Sequence, residues 1–239
     1  MSDWWGVARM ADETHRRDSA ATAIRERKRQ IRRAMLSQRQ ALPEVERLAR
    51  SRCIWQRLIA LRCYQAARVI LGYMAMDKEV LTDGLLRQAI AAGKLIVLPA
   101  VEVGERRLAL YAIRDLERDV APGFRHILEP QRHRTRPVGI EEVDLALVPG
   151  VAFDAQGGRL GFGAGFYDRL LSRFPEGIPK IGIAFDFQVL PRLPRQSHDI
   201  ALDAIVTESR VISCIPLSAH DEAATVAGTT STHRGEGEV

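Results

Sequence analysis

Cysteine is scarce in this chain: 239 residues contain three, Cys53, Cys63 and Cys214, an odd number with no Cys-x-x-Cys pair and no Cys/His zinc spacing. A disulfide framework and a structural zinc are therefore excluded as organising devices, and a reducing compartment is the simpler expectation. Long apolar runs are missing as well. Asp3, Arg9 and Asp12 break up the stretch around Trp4 and Trp5, and no later run reaches the length of a membrane span. The expectation is a soluble, cytoplasmic protein with no membrane partner. Aromatic residues make up 6%, and none forms a stacking platform beside the arginine-rich segment near residue 30, which ranks nucleic acid last among partners. Acidic residues are fewer than basic ones, giving a formal charge of +5 and a pI near 9.4, which suits a small polyanionic ligand as well as it suits RNA.

With 46% hydrophobic residues the chain can bury one good core, and one domain over residues 23–215 is expected. Residues 1–22 are polar, mixed in charge and without periodicity, so they read as a mobile extension in which Met10 is an alternative start. Residues 216–239 are rich in Ala, Thr, Ser, Gly and Glu and read as a disordered tail. A monomer is expected.

From about Ile24 the pattern is helical, with Ile31, Met35 and Leu42 near one face and a strongly basic opposite face. Lys28 and Arg32 lie one turn apart, where two cations repel unless an anion sits between them. A second helix follows Pro43. Arg68 to Met74, Thr82 to Ala92 and Leu95 to Leu98 then read as a βαβ unit with Gly93 as the helix stop. Its loop, Ala75 to Val80, lies past the carboxyl end of the first strand, where open α/β sheets bind ligands, and carries Glu79. Arg107 to Ile113 reads as a strand and Gln131 to Arg136 as a basic linker. A second βαβ unit is expected from Asp144 to Pro149, Phe166 to Phe174 and Lys180 to Phe185, with a last apolar strand from Leu202 to Thr207. His198 reads as an ordinary turn histidine. This alternation places the fold in the α/β class.

Between the second strand and its helix lies the most informative stretch. After Val148-Pro149-Gly150 come glycines at 157, 158, 161, 163 and 165, and then an amphipathic segment. A strand, a glycine-rich loop and a helix start present backbone N–H groups to an anion. The spacing matches neither the P-loop, which needs Gly-Lys-Ser/Thr, nor the dinucleotide fingerprint. Arg159 can pair with a phosphate, Tyr167 offers an aromatic face and Asp168 can hold a magnesium ion. The block from Phe153-Asp154 through Arg159-Leu160-Gly161 to Phe166-Tyr167-Asp168-Arg169 resembles the signature of the 5-formyltetrahydrofolate cyclo-ligase family, also called methenyltetrahydrofolate synthetases.

The resemblance runs from about Lys28 to Glu208. It implies an open, mostly parallel sheet flanked by helices in three layers, with the N-terminal helices packed on it. It also implies ATP as co-substrate, Mg2+ as cofactor, and closure of 5-formyltetrahydrofolate to 5,10-methenyltetrahydrofolate through a phosphorylated formyl group. Lys28, Arg32 and Arg159 would act on phosphate, and the ATP site would comprise Lys28, Arg29, Gln30, Ile31 and Arg32 together with Arg159, Leu160, Gly161, Phe162, Gly163, Ala164, Gly165, Phe166 and Tyr167. Tyr73, Met74, Glu79 and Phe166 would face the folate, and Asp168 with Asp199 would hold the metal. Two positions depart from the family pattern: Leu81 stands where a second acidic residue is frequent, and Phe166 where many relatives have tyrosine. The other readings are a non-catalytic folate or nucleotide sensor of the same fold, and an RNA-binding protein using the basic helix.

Overall fold

The computed structural model describes residues 4–76, 78–196 and 199–214, with side chains from residue 22 onward. Helix α1 (Trp4–Ala41) is longer than the apolar pattern indicates, and the boundary expected near residue 22 falls inside it. The segment from residue 7 to residue 41 has no glycine or proline and is rich in Ala, Arg, Glu and Gln, so intrinsic propensity sustains helix where no apolar stripe exists. Pro43, whose fixed φ suits a helix start, separates α1 from α2 (Glu44–Ala60). A short α3 (Arg62–Ala66) leads to the first strand.

Two βαβ units build the sheet. The first comprises β1 (Val69–Leu71), α4 (Asp83–Ala91) and β2 (Leu95–Glu102). From it the chain runs antiparallel through β3 (Arg107–Ile113), makes a hairpin of β4 (Val120–Pro122) and β5 (Leu128–Pro130), and adds a two-residue edge strand, β6 (Pro137–Val138). The second unit begins with β7 (Leu145–Val148) and passes through the ribbon β8 (Ala152–Asp154) and β9 (Arg159–Leu160) into α5 (Phe166–Leu171) and β10 (Lys180–Ile183). After a short β11 (Val189–Leu190), β12 (Ala204–Val206) returns to the sheet and β13 (Val211–Ser213) closes the edge antiparallel to it.

The eight-stranded sheet has the order β13-β12-β10-β7-β1-β2-β3-β6, and its five central strands are parallel, with Ile70 opposite Ile96, Leu71 opposite Ala146 and Leu147 opposite Ile181. Both faces are covered, which is why these strands read as continuous apolar runs. Side chains of Ile70, Ile96, Leu98, Leu145, Leu147, Ile181 and Ile183 pack with Ile54, Leu58, Leu85 and Leu86 of α2 and α4. The alternate residues Leu71, Val97, Ala146, Val148 and Ile205 pack with Leu170 and Leu171 of α5. The result is the expected three-layer arrangement.

The sequence pattern missed three features. β8 and β9 lie inside what looked like one long loop, and with β11 they form a separate three-stranded sheet. The apolar face of α1, Ile31 and Met35, packs on that small sheet at Val151, Ala152 and Leu160, while α2 packs on the main one. Finally, β13 follows the strand taken as last. Runs of two or three residues carry no periodicity to read. The expected tail, 216–239, and His198 lie outside the described residues. Among the described residues no helix is long and apolar enough to cross a membrane.

Connections from β1 run one way along the sheet, to β2, and those from β7 run the other way, to β10 and β12. β1 and β7 are neighbours, so the topological switch point lies between them, and the loops leaving their carboxyl ends carry Glu79 and the glycine block. The ribbon that carries the block is anchored by Asp154, which is fully buried and accepts N–H bonds from Gln156, Gly158 and Leu193 at 2.8–3.0 Å and one from Arg195 at 2.8 Å. Burial pulls its pKa up, but the N–H groups of Leu193 and Gly158 and the Arg195 guanidinium outweigh it, and the net shift is downward.

A depressed carboxylate stabilises the fold fully above the unfolded value of about 4 and loses that contribution as pH falls through the folded value. Asp154→Asn is expected to cost about 1–3 kcal/mol at neutral pH in denaturant unfolding. The gap to wild type should narrow as the solution is acidified below the ordinary carboxylate range, and a gap that stays constant with pH would contradict this role.

Candidate functional site

The switch point opens into a cavity of about 450 Å3. One end is lined by charge and by the glycine loop, the other by apolar and aromatic side chains.

At the charged end Lys28, Arg32 and Arg159 each have a partner, and Arg25 also lines the space. Arg159, in β9, is nearly buried and its Nη2 lies 2.6 Å from Asp168 Oδ1 in α5, while Nη1 donates to the Pro149 carbonyl at 3.3 Å. Lys28 Nζ is 2.7 Å from Asp199 Oδ2 and 3.3 Å from the Gln196 side-chain oxygen; the Gln196 N–H also donates to Asp199. Arg32 Nε donates to the Gly161 carbonyl at 2.7 Å, and its Cζ lies 3.5 Å from the place a Cβ would take on Gly163, whose φ is +104°. Burial lowers the Arg32 pKa, opposed by the nearby carboxylates of Asp199 and Asp168. Gly165, at φ +68°, turns the loop into α5.

Three cations and two carboxylates thus face one space. Such a network can exchange partners, guanidinium and ammonium turning to phosphate while the carboxylates turn to a divalent cation. Among the described residues no group of three or more His, Cys, Asp or Glu side chains is arranged around a metal position. Two hard carboxylates nevertheless fit magnesium, which takes one or two protein oxygens and completes its octahedron with phosphate and water.

The helical period separates the members of the N-terminal motif. Lys28 and Arg32 line the cavity, whereas Arg29 and Gln30 are exposed, Arg29 pairing with Glu26, and Ile31 is buried against Val151 and Leu160. Those three positions do not line the space. Leu160, Gly161, Phe162, Gly163, Ala164, Gly165, Phe166 and Tyr167 all do.

The apolar end is organised by Glu79, which is buried rather than exposed on its loop. Its Oε2 accepts the Met76 N–H at 3.1 Å and its Oε1 lies 3.6 Å from Nη1 of Arg39. Thr82 pins the two ends of this loop, donating to the Tyr73 carbonyl at 2.7 Å and accepting from the Ala75 N–H at 3.1 Å. Tyr73, Met74 and Phe166 form the wall, and Phe166 meets Phe124 edge to face at 6.4 Å. Leu81 lies outside the cavity: its N–H donates to Ser51 and its carbonyl accepts from Trp55, so this departure does not touch the site.

Sequence reasoning missed Arg39. Positions 28, 32, 35 and 39 recur at four, three and four, which puts Arg39 on the stripe of Lys28 and Arg32, two turns on. That spacing was the available signal.

Residues 24–208 match the sequence profile of the 5-formyltetrahydrofolate cyclo-ligase family. The chain is 28% identical over 205 residues to a probable 5-formyltetrahydrofolate cyclo-ligase of Caenorhabditis elegans, covering 80% of this chain and 97% of that protein. Among solved structures, the NMR structure of Aquifex aeolicus 5,10-methenyltetrahydrofolate synthetase superposes with a TM-score of 0.70 at 36% identity, covering 82% of this chain and 98% of the other. A 5,10-methenyltetrahydrofolate synthetase from Mycoplasma pneumoniae superposes with a TM-score of 0.62 at 27% identity, covering 76% and 98%.

Two phenols test the electrostatics of the cavity. Burial first, then the charge of Glu79, push the pKa values of Tyr73 and Tyr167 upward, against Arg39 for Tyr73 and Arg159 for Tyr167. The Tyr167 hydroxyl is buried with no hydrogen-bond partner among the described residues, leaving a donor for a ligand. In a spectrophotometric titration, Tyr73→Phe and Tyr167→Phe should leave unchanged the tyrosinate signal that develops near the ordinary phenol value of about 10. Loss of that signal in either variant would mean its phenol is not held in dry, negatively charged surroundings.

Proposed function

The chain belongs to the 5-formyltetrahydrofolate cyclo-ligase family, and we propose that it converts 5-formyltetrahydrofolate to 5,10-methenyltetrahydrofolate, consuming ATP with magnesium and releasing ADP and phosphate. The observation that carries this reading is that a paired set of cations and carboxylates and an apolar pocket holding one buried carboxylate line the same cavity.

A formamide oxygen is a poor leaving group, and phosphorylation makes it a good one. The formyl oxygen attacks the γ-phosphorus of ATP and ADP departs. The N5 lone pair then forms the C=N bond of an iminium phosphate. N10 adds to that carbon and loses its proton, the C–O bond breaks, and phosphate leaves as the five-membered ring closes. No protein nucleophile is needed, so the chain's work is positioning and charge stabilisation.

Lys28, Arg32 and Arg159 neutralise phosphate charge, and the N–H groups from Gly161 to Gly165 line the path of the phosphates. Asp168 and Asp199 would hold the magnesium ion, which would supply positive charge to neutralise phosphate. Glu79 accepts N–H donors of the pterin, a pairing that suits a carboxylate, while Tyr73, Met74 and Phe166 pack against its ring. Arg29, Gln30 and Ile31 support this site only by forming the helix that carries Lys28 and Arg32.

Absorbance in the methenyltetrahydrofolate band, followed on mixing protein, 5-formyltetrahydrofolate, ATP and magnesium, should rise only when all three small molecules are present. Asp168→Asn and Arg159→Ala should each lower turnover by more than about tenfold, measured below the melting transition of each variant, which should itself fall because one member of a buried pair is lost. Near-normal turnover in both variants would sink this assignment of the charged end. Folate or ATP binding in calorimetry without any rise in the wild type would make the protein a sensor instead.

A further inference from the structure

Arg39 is an expensive residue to bury. Its side chain is fully enclosed, two turns along α1 from Arg32, and nothing in the phosphate chemistry requires it. Its guanidinium lies between two parts of the site: 3.6 Å from Glu79 Oε1 and 5.5 Å from the centre of the Phe162 ring in the glycine loop. A buried carboxylate left to itself takes up a proton, whereas a guanidinium stays charged even when enclosed.

We propose that Arg39 is a positioning residue that keeps Glu79 ionised and aimed into the cavity, ready to accept the N–H donors of a folate. This rests on the reading of Glu79 as the folate contact. Among the described residues, the groups near the Glu79 carboxylate include Arg39 from α1, Tyr73 beyond β1, Tyr167 from α5 and the Met76 N–H of its own loop, while Arg47 of α2 donates to its main-chain carbonyl. A phenol carries no positive charge in either protonation state, and the counter-charge in this group is Arg39, 3.6 Å from Glu79 Oε1. The Phe162 ring, its centre 5.5 Å from Arg39 Cζ, gives the guanidinium a second favourable contact. A protonated Glu79 would present a donor where the pterin also has one, and binding would weaken.

Arg39→Met should raise the KM for 5-formyltetrahydrofolate by at least about tenfold while kcat changes much less, because the phosphate-facing cations stay in place. Its kcat/KM for folate should climb as pH is raised, as Glu79 loses the proton it has gained, whereas wild type shows no such climb. Arg39→Lys keeps the charge and should restore most of the affinity and remove the alkaline climb. A purely structural role would lower kcat and stability together and give no pH signature.

Should Arg39→Met fail to fold, Arg39→Met combined with Glu79→Gln removes both charges and leaves no lone buried ion. Its folate affinity in calorimetry should equal that of Glu79→Gln alone, and a further loss in the double variant would overturn the proposal. So would wild-type affinity in Arg39→Met. Absence of folate binding by the wild type would instead overturn the reading of Glu79, a distinguishable outcome.

Discussion

The site depends on opposite charges being buried together. Arg159 with Asp168, Lys28 with Asp199 and Arg39 with Glu79 are ion pairs taken largely out of water; the first ties β9 to the helix that follows it, and the other two join elements distant in sequence. A single charge in such a place would shift its pKa or draw in solvent; a pair holds both members ionised and in place. The pairs divide the labour. Two lie at the charged end of the cavity, and the third lies at its apolar end.

The scaffold follows from how the sheet is wound. Both faces of the parallel strands are covered, so alternate residues of runs such as Leu145-Ala146-Leu147-Val148 serve opposite layers. Reversal of winding direction between β1 and β7 then leaves two carboxyl-terminal loops side by side. α1 supplies the third wall, seated by Ile31 and Met35 on the small sheet formed by the glycine block itself. The block therefore does two jobs: Val151, Ala152 and Leu160 receive α1, and the residues after them line the cavity.

Much of this was legible. The two βαβ units and the ligand loop bearing Glu79 follow from apolar runs, a glycine stop and the position of a loop beyond a strand end. What stayed hidden has physical causes. β8 and β9 are too short for any period, and their identity comes from pairing with each other and with β11. Arg29, Gln30 and Ile31 are contiguous with Lys28 and Arg32, but contiguity in a helix scatters side chains around it, and only the residues one turn apart reach the cavity. Arg39 was not singled out because burial of a cation depends on its partner, and Glu79 sits forty residues away with no local pattern linking them. The start of α1 was misplaced because helix propensity without an apolar face is silent in a search for periodicity.

One separation has a kinetic consequence. Lys28 and Asp199, the pair that closes one side of the charged end, are 171 positions apart. During synthesis the helix bearing Lys28 and Arg32 emerges first, and Asp199 emerges near the last strands, so this long-range closure is among the final events. A half-made chain carries Lys28 without the carboxylate that pairs with it, so this side of the cavity closes only when the chain is nearly complete.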